Sequence, residues 1–191
     1  MTDKPRCAVS AGKAVQLLLR QEITTLYTDV QLLELGQRVL FDSIDHYCQI
    51  TGASLYQFTR RGALRDGCTI CVGSRYIVLY NDVVYRSPDR LNWTLAHELG
   101  HICNGHGDDG WAEEAEANAF ACELLMPEIV IRFLASRQRI SYLDLQELFH
   151  VSGEAAQNRI RQLKRQREYC ATGEERELLR KYLPLLRRIR L

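Results

Sequence analysis

The sequence predicts an α+β fold, mostly helical, with a small antiparallel sheet of about three strands. Apolar residues recur three and four apart through most of the 191 residues, whereas only residues 55–80 alternate or concentrate β-branched and aromatic side chains. Cap and stop signals then bracket the next segment: Ser87-Pro88-Asp89 at its start and Asn104-Gly105 at its end.

In order, Ala11 to Arg20 and Asp29 to Tyr47 read as amphipathic helices, the second carrying Val30, Leu33, Val39, Leu40, Ile44 and Tyr47, with Asp29 as its cap. Gly52 marks a break before the strands. Leu55 to Thr59, Cys68 to Val72 and Tyr76 to Tyr80 read as three antiparallel strands, the last two joined by a Gly73-Ser74 hairpin turn. The last strand is expected at or near the edge of the sheet, with Tyr80 and Tyr85 beside it as packing residues. A helix is expected from Pro88 to Cys103, a loop over His106-Gly107-Asp108-Asp109-Gly110, and a second helix from Trp111 or Ala112 through Leu125. Pro127 breaks that helix, and Glu128 to Ala135 makes a short one. Ser141 with Asp144 caps another, Ser152 caps a further one, and Thr172-Gly173-Glu174 begins the last. The expected division is an N-terminal helical segment over 1–50, a core over 51–136 and a basic helical extension over 137–191 that joins the core in one compact domain.

The hydrophobic share of 46% and charged share of 26% are those of an ordinary globular protein. The net charge of +1 hides an asymmetry. Residues 159–191 hold eleven Arg/Lys against four Glu, a net of +7, and residues 1–158 hold fourteen basic against twenty acidic residues, a net of −6. No apolar run is long enough to suggest a membrane span, and no signal core follows Met1, so a cytosolic protein without membrane contact is expected. The seven cysteines then read as reduced apolar residues, and Cys68-Thr69-Ile70-Cys71, lacking a second pair at finger-like spacing, as two strand cysteines near a hairpin.

The helix after the sheet carries His97-Glu98-Leu99-Gly100-His101. On a helix the two histidines fall one turn apart on one face, where both imidazoles can reach one metal ion. Glu98 lies about 100° round the helix, beside such an ion rather than on it, where a general base stands. A catalytic zinc takes three protein ligands. A histidine three residues after a glycine could supply the third, but those positions hold Asn104 and Gly107. The next helix offers Glu113, Glu114 and Glu116. Glu114 shares a stripe with Ala117, Phe120, Ala121 and Leu124 and is expected to point inward. Glu113 is expected at the helix edge and Glu116 in solvent.

These residues resemble the ImmA/IrrE-type zinc metallopeptidases. The likeness runs from Tyr76-Ile77-Val78-Leu79-Tyr80-Asn81-Asp82 through Trp93-Thr94-Leu95-Ala96-His97-Glu98-Leu99-Gly100-His101, Glu114-x-x-Ala117-Asn118-x-Phe120-Ala121 and Leu124-Leu125-Met126-Pro127. It covers residues 50–130 well and continues weakly to about 165. The resemblance implies a zincin-like domain with a gluzincin-like site: Zn2+ held by His97, His101 and Glu114, with Glu98 as catalytic base. It implies an intracellular endopeptidase whose protein substrate is a helix-turn-helix repressor. Asn118 matches a position that orients a histidine ligand in related peptidases.

His106, just past the helix stop, is a candidate for turning back over the site, either as a transition-state or substrate contact or, like Asn118, as a residue supporting a ligand from behind. Strand 76–80 is a candidate for holding an extended substrate by strand addition. His46 and His150 read as structural or solvated, and Trp93 and Phe120 as packing residues. Leu178, Leu179, Tyr182, Leu183 and Leu186 form a core or dimer stripe. The basic run Arg159 to Arg167 reads as a solvated helix face with Ile160 and Leu163 buried, in preference to a DNA contact. The turn Val151-Ser152-Gly153-Glu154-Ala155-Ala156 resembles part of a helix-turn-helix. Two rival readings are a non-cleaving regulator that binds a repressor or DNA through the same fold, and an interaction protein built on the C-terminal helices.

Overall fold

The computed structural model describes residues 4–82, 87–107, 110–166 and 168–189. Its class is α+β, as the sequence implies. Among the described residues, helix α1 (Lys4–Arg20) is followed by β1 (Val39–Ser43) and α2 (Ile44–Thr51). Strands β2 (Thr59–Arg60), β3 (Ala63–Leu64), β4 (Gly67–Val72) and β5 (Arg75–Tyr80) come next. Six helices follow among the described residues: α3 (Pro88–Asn104), α4 (Trp111–Leu125), α5 (Glu128–Ala135), α6 (Tyr142–Phe149), α7 (Gly153–Arg165) and α8 (Gly173–Leu186). No helix is long and apolar enough to cross a membrane among the described residues.

The strongest departure from expectation lies between residues 29 and 47. In place of one helix there are two short 3-10 turns, Val30–Leu32 and Gly36–Arg38, then β1, then α2. Gly36 has φ +71°, which interrupts a helical path. Buried Asn92 of α3 reinforces the break by accepting from the Val30 amide at 2.9 Å and donating to the Thr28 carbonyl at 2.7 Å. Asp29 does act as a cap, but of the first 3-10 turn. The segment 55–59 also departs, since Leu55–Phe58 is a 3-10 turn capped by Ser54 that buries Phe58 and leaves Tyr56 exposed.

The main sheet has the order β1-β5-β4 and is mixed rather than antiparallel throughout. β5 pairs in parallel with β1, Phe41 opposite Val78, and antiparallel with β4, Thr69 opposite Val78. β5 is therefore the central strand and not an edge. It is covered on both faces: Val78 joins the main core, while Leu79 packs with Ile44 and Phe58 in a smaller cluster under α2. Gly73, at φ +63°, makes the β4–β5 turn as its sequence suggests.

Helix α1 starts at Lys4, seven residues before the expected Ala11, whereas α3, α6, α7 and α8 begin where their caps predict. Ser87 accepts from the Arg90 amide with Pro88 behind it, Gly105 closes α3 at φ +69°, and Ser141/Asp144 and Thr172/Glu175 form capping boxes. One hydrophobic cluster runs from Leu18 of α1 through Leu99, Phe120, Leu124 and Phe149 to Leu178, Tyr182 and Leu186 of α8. The α8 stripe is thus core. Trp93 packs partly on the same cluster. His46 pairs with Asp42 on the surface at 2.8 Å, and His150 ends α6 at φ 49° with its ring 4.9 Å from that of Tyr27. Tyr80 packs on the core, whereas Tyr85, Asp108, Asp109 and Arg167 lie outside the described residues.

One contact sets the geometry of the site. A Cβ on Gly100 would sit 2.8 Å from the Ala117 Cα and 2.9 Å from its carbonyl oxygen, both backbone atoms. Only glycine lets α3 and α4 approach this closely. Gly100→Ala should therefore force the helices apart and cost about 1–3 kcal/mol of stability. Urea unfolding measures this, and a variant with the wild-type midpoint would contradict the close approach.

Candidate metal centre

α3 presents His97 and His101 one turn apart, and the Gly100–Ala117 contact brings the start of α4 against the same face. Glu114, one turn before Ala117, arrives opposite the two imidazoles. The His97 and His101 Nε2 atoms stand 3.1 Å apart. One Glu114 oxygen lies 3.4 Å from the His97 Nε2 and the other 4.0 Å from the His101 Nε2. All three donor groups fall within 4.8 Å of one another. Ligands at about 2.05 Å in tetrahedral positions on one zinc are themselves about 3.3 Å apart. The donor set and its spacing therefore fit a zinc ion.

The backs of both rings are engaged. Asn118 Oδ1 lies 3.1 Å from the His97 Nδ1, and a protonated Nδ1 donating to it leaves the Nε2 lone pair facing the site. His106 Nδ1 lies 2.9 Å from the His101 Nδ1. When the His97 and His101 Nδ1 atoms both carry their protons, two Nε2 lone pairs face each other and a carboxylate, an arrangement that a cation satisfies.

Glu98 stands beside the triad. The Thr69 hydroxyl of β4 donates to its Oε2 at 2.7 Å. A Cβ on Gly67 would lie 2.5 Å from the Thr94 Cγ2 and 3.3 Å from the Glu98 Cγ, so β4 runs hard against α3 at this point. The groups line a cleft of about 740 Å³ bordered by Arg60, Leu64, Gly67, Thr69, Trp93 and Ile102.

The expected site residues His97, Glu98, His101, Glu114 and Asn118 thus meet in one place. His106 meets them too, but from behind. Its side chain is 6% exposed, and its second ring nitrogen is 3.1 Å from Glu116 Oε2. Both ring nitrogens are engaged by these neighbours, although the residue also borders the cleft. Glu113 stays at the helix edge, 3.3 Å from Arg6. Glu116 does not point to solvent: it is 6% exposed, because α1 covers that face of α4. The signal was present in the alternating alanines 115, 117, 119 and 121, which mark a helix packed on more than one side. Thr69 was also missed. It lies in a strand with no spacing that ties it to Glu98.

Cys68 and Cys71 sit on β4, as expected for strand cysteines, and neither is in a disulfide. In the basic run, Arg161, Lys164 and Arg165 are exposed and Ile160 and Leu163 half-buried, but Arg159 is only 2% exposed and pairs with Glu123.

A search among curated proteins finds no match. The profile of the peptidase family described as the IrrE N-terminal-like domain matches residues 51–161, a span that takes in β2 to α7 and all three candidate ligands. The chain belongs to this IrrE N-terminal-like peptidase family.

Proposed function

We propose that this peptidase is a zinc-dependent endopeptidase that cleaves a regulatory protein inside the cell, its substrate a helix-turn-helix repressor. The observation that carries the metal part is the convergence of two imidazoles and one carboxylate at ligand spacing beside an acid held in place by its own hydrogen bond. His97, His101 and Glu114 would hold the ion, and an N2O donor set of this kind suits zinc. When bound, zinc supplies a Lewis acid that acidifies water and polarises a peptide carbonyl.

The protein's own groups do the rest. Glu98 takes the proton from the attacking water and passes it to the leaving amine, so its carboxylate must face the cleft. The Thr69 hydroxyl fixes one oxygen of that carboxylate at 2.7 Å. Asn118 holds the plane of the His97 ring. Strand addition of the substrate moves from β5, which is central, to β4, which borders the cleft through Gly67, Cys68, Thr69 and Cys71.

The test is to mix zinc-loaded protein with a helix-turn-helix repressor encoded beside its gene and follow cleavage by mass spectrometry. Zinc-dependent cutting of the repressor at one position is the expected result. Cleavage of an unstructured peptide but not of the repressor overturns the substrate assignment. A repressor bound but left intact favours a non-cleaving regulator.

A further inference from the structure

The relation of His106 to its neighbours goes beyond packing. The two Nδ1 atoms of His101 and His106 face each other at 2.9 Å, so one must donate and the other accept. The His106 Nε2 faces a Glu116 oxygen at 3.1 Å, and a carboxylate only accepts. A neutral His106 therefore carries its hydrogen on Nε2 and accepts at Nδ1. It follows that His101 carries its hydrogen on Nδ1, leaving the Nε2 lone pair directed at His97 and Glu114. That is the tautomer a metal ligand at Nε2 requires.

The chain of contacts continues. The other oxygen of Glu116 is ion-paired with the Arg6 Nε of α1, and Arg6 also reaches Glu113 at 3.3 Å. One turn on, Ser10 of α1 donates to the Glu116 carbonyl at 2.7 Å and accepts from Asn104 of α3 at 2.7 Å. The His106 and Glu116 side chains are 6% and 8% exposed, so the bond between them is shielded from water, whereas Arg6 approaches from the surface at 53% exposed.

We infer that His106, Glu116 and Arg6 form a polar relay behind His101 that fixes the tautomer and ring plane of this ligand, making the N-terminal helix part of the metal centre. The inference rests on the metal reading under the proposed function. His106 and Glu116 are positioning residues, since both act through His101. Arg6 lies 45 residues before the matched span begins at residue 51. A protein trimmed to that span would lack the end of the relay.

Zinc affinity measured by competition with a chelating dye, at one fixed pH, tests this on the full chain. His106→Leu is expected to bind about 10–100-fold more weakly, while His106→Asn, whose oxygen can accept where Nδ1 did, should stay within about threefold of wild type. Arg6→Leu, at a surface position, should weaken binding by a smaller factor of about three to ten. Independently, 15N spectra of the metal-free protein should show His101 protonated at Nδ1, shifting toward the Nε2-protonated form in His106→Leu. Wild-type affinity in a folded His106→Leu protein, or an Nε2-protonated His101 in the metal-free wild type, overturns the relay. A wild type that binds no zinc fails the metal reading instead, and the tautomer measurement, which needs no metal, still decides the relay. If His106→Leu does not fold, Arg6→Leu and the wild-type tautomer carry the test.

Discussion

Replacing Glu98 with Gln is expected to leave zinc binding near the wild-type level and to slow peptide cleavage by about 10²–10⁴-fold. The amide keeps an oxygen for the Thr69 hydroxyl, which is 2.7 Å from the carboxylate in the native site, so the side chain should stay in place. What it loses is the ability to take a proton. Glu98 lies outside the group of converging donors, so the ion should not notice the change. The measurement is a cleavage rate beside a metal titration on the same sample. A Gln variant that cuts at the wild-type rate would remove Glu98 from the chemistry.

The second large effect concerns stability. Arg159 is 2% exposed and makes four hydrogen bonds: to Glu123 at 2.5 Å, to Gln162 at 2.9 Å, and two to the Met126 carbonyl at 3.1 and 2.8 Å. Glu123, 4% exposed, uses its other oxygen to accept from the Glu128 amide at 2.9 Å, capping α5. Burial pushes the Glu123 carboxyl above its usual range, against the pull of Arg159. Arg159→Leu leaves that carboxyl buried without its cation and the Met126 carbonyl without a donor. The expected loss is about 3–5 kcal/mol, a large share of the roughly 5–15 kcal/mol that holds a domain folded. Urea unfolding checks it. Pairing Arg159→Leu with Glu123→Leu should recover much of the loss, because no charge is then stranded. A single variant as stable as wild type would contradict the buried pair.

These two residues also mark the limit of what the sequence discloses. The placement of Glu98 was legible because it depends on helical spacing alone: His97 and His101 lie within one turn of it, and α3 declares its own ends through Ser87, Pro88 and Gly105. Glu114 was legible for the same reason, since its stripe with Ala117, Phe120 and Leu124 is a property of one helix. Arg159 was not. It stands in a run of like charges that reads as a solvated face, and only the arrival of Glu123 from α4 turns it inward. Glu116 is the same case with α1 as the covering element. The sheet failed for a related reason. Val39 to Ser43 has helical neighbours in sequence, but its backbone pairs with β5, thirty-seven residues away at the Val39–Tyr76 partner pair. Local pattern fixes what a helix presents, and long-range packing decides what covers it.

The most direct test of the metal centre is a crystal structure of the zinc-soaked protein, with anomalous scattering to identify the ion. One zinc is expected per chain, at about 2.0–2.2 Å from the Nε2 atoms of His97 and His101 and from a carboxylate oxygen of Glu114. Zinc bound elsewhere, or Glu114 turned away from an ion held by the histidines alone, would contradict the account.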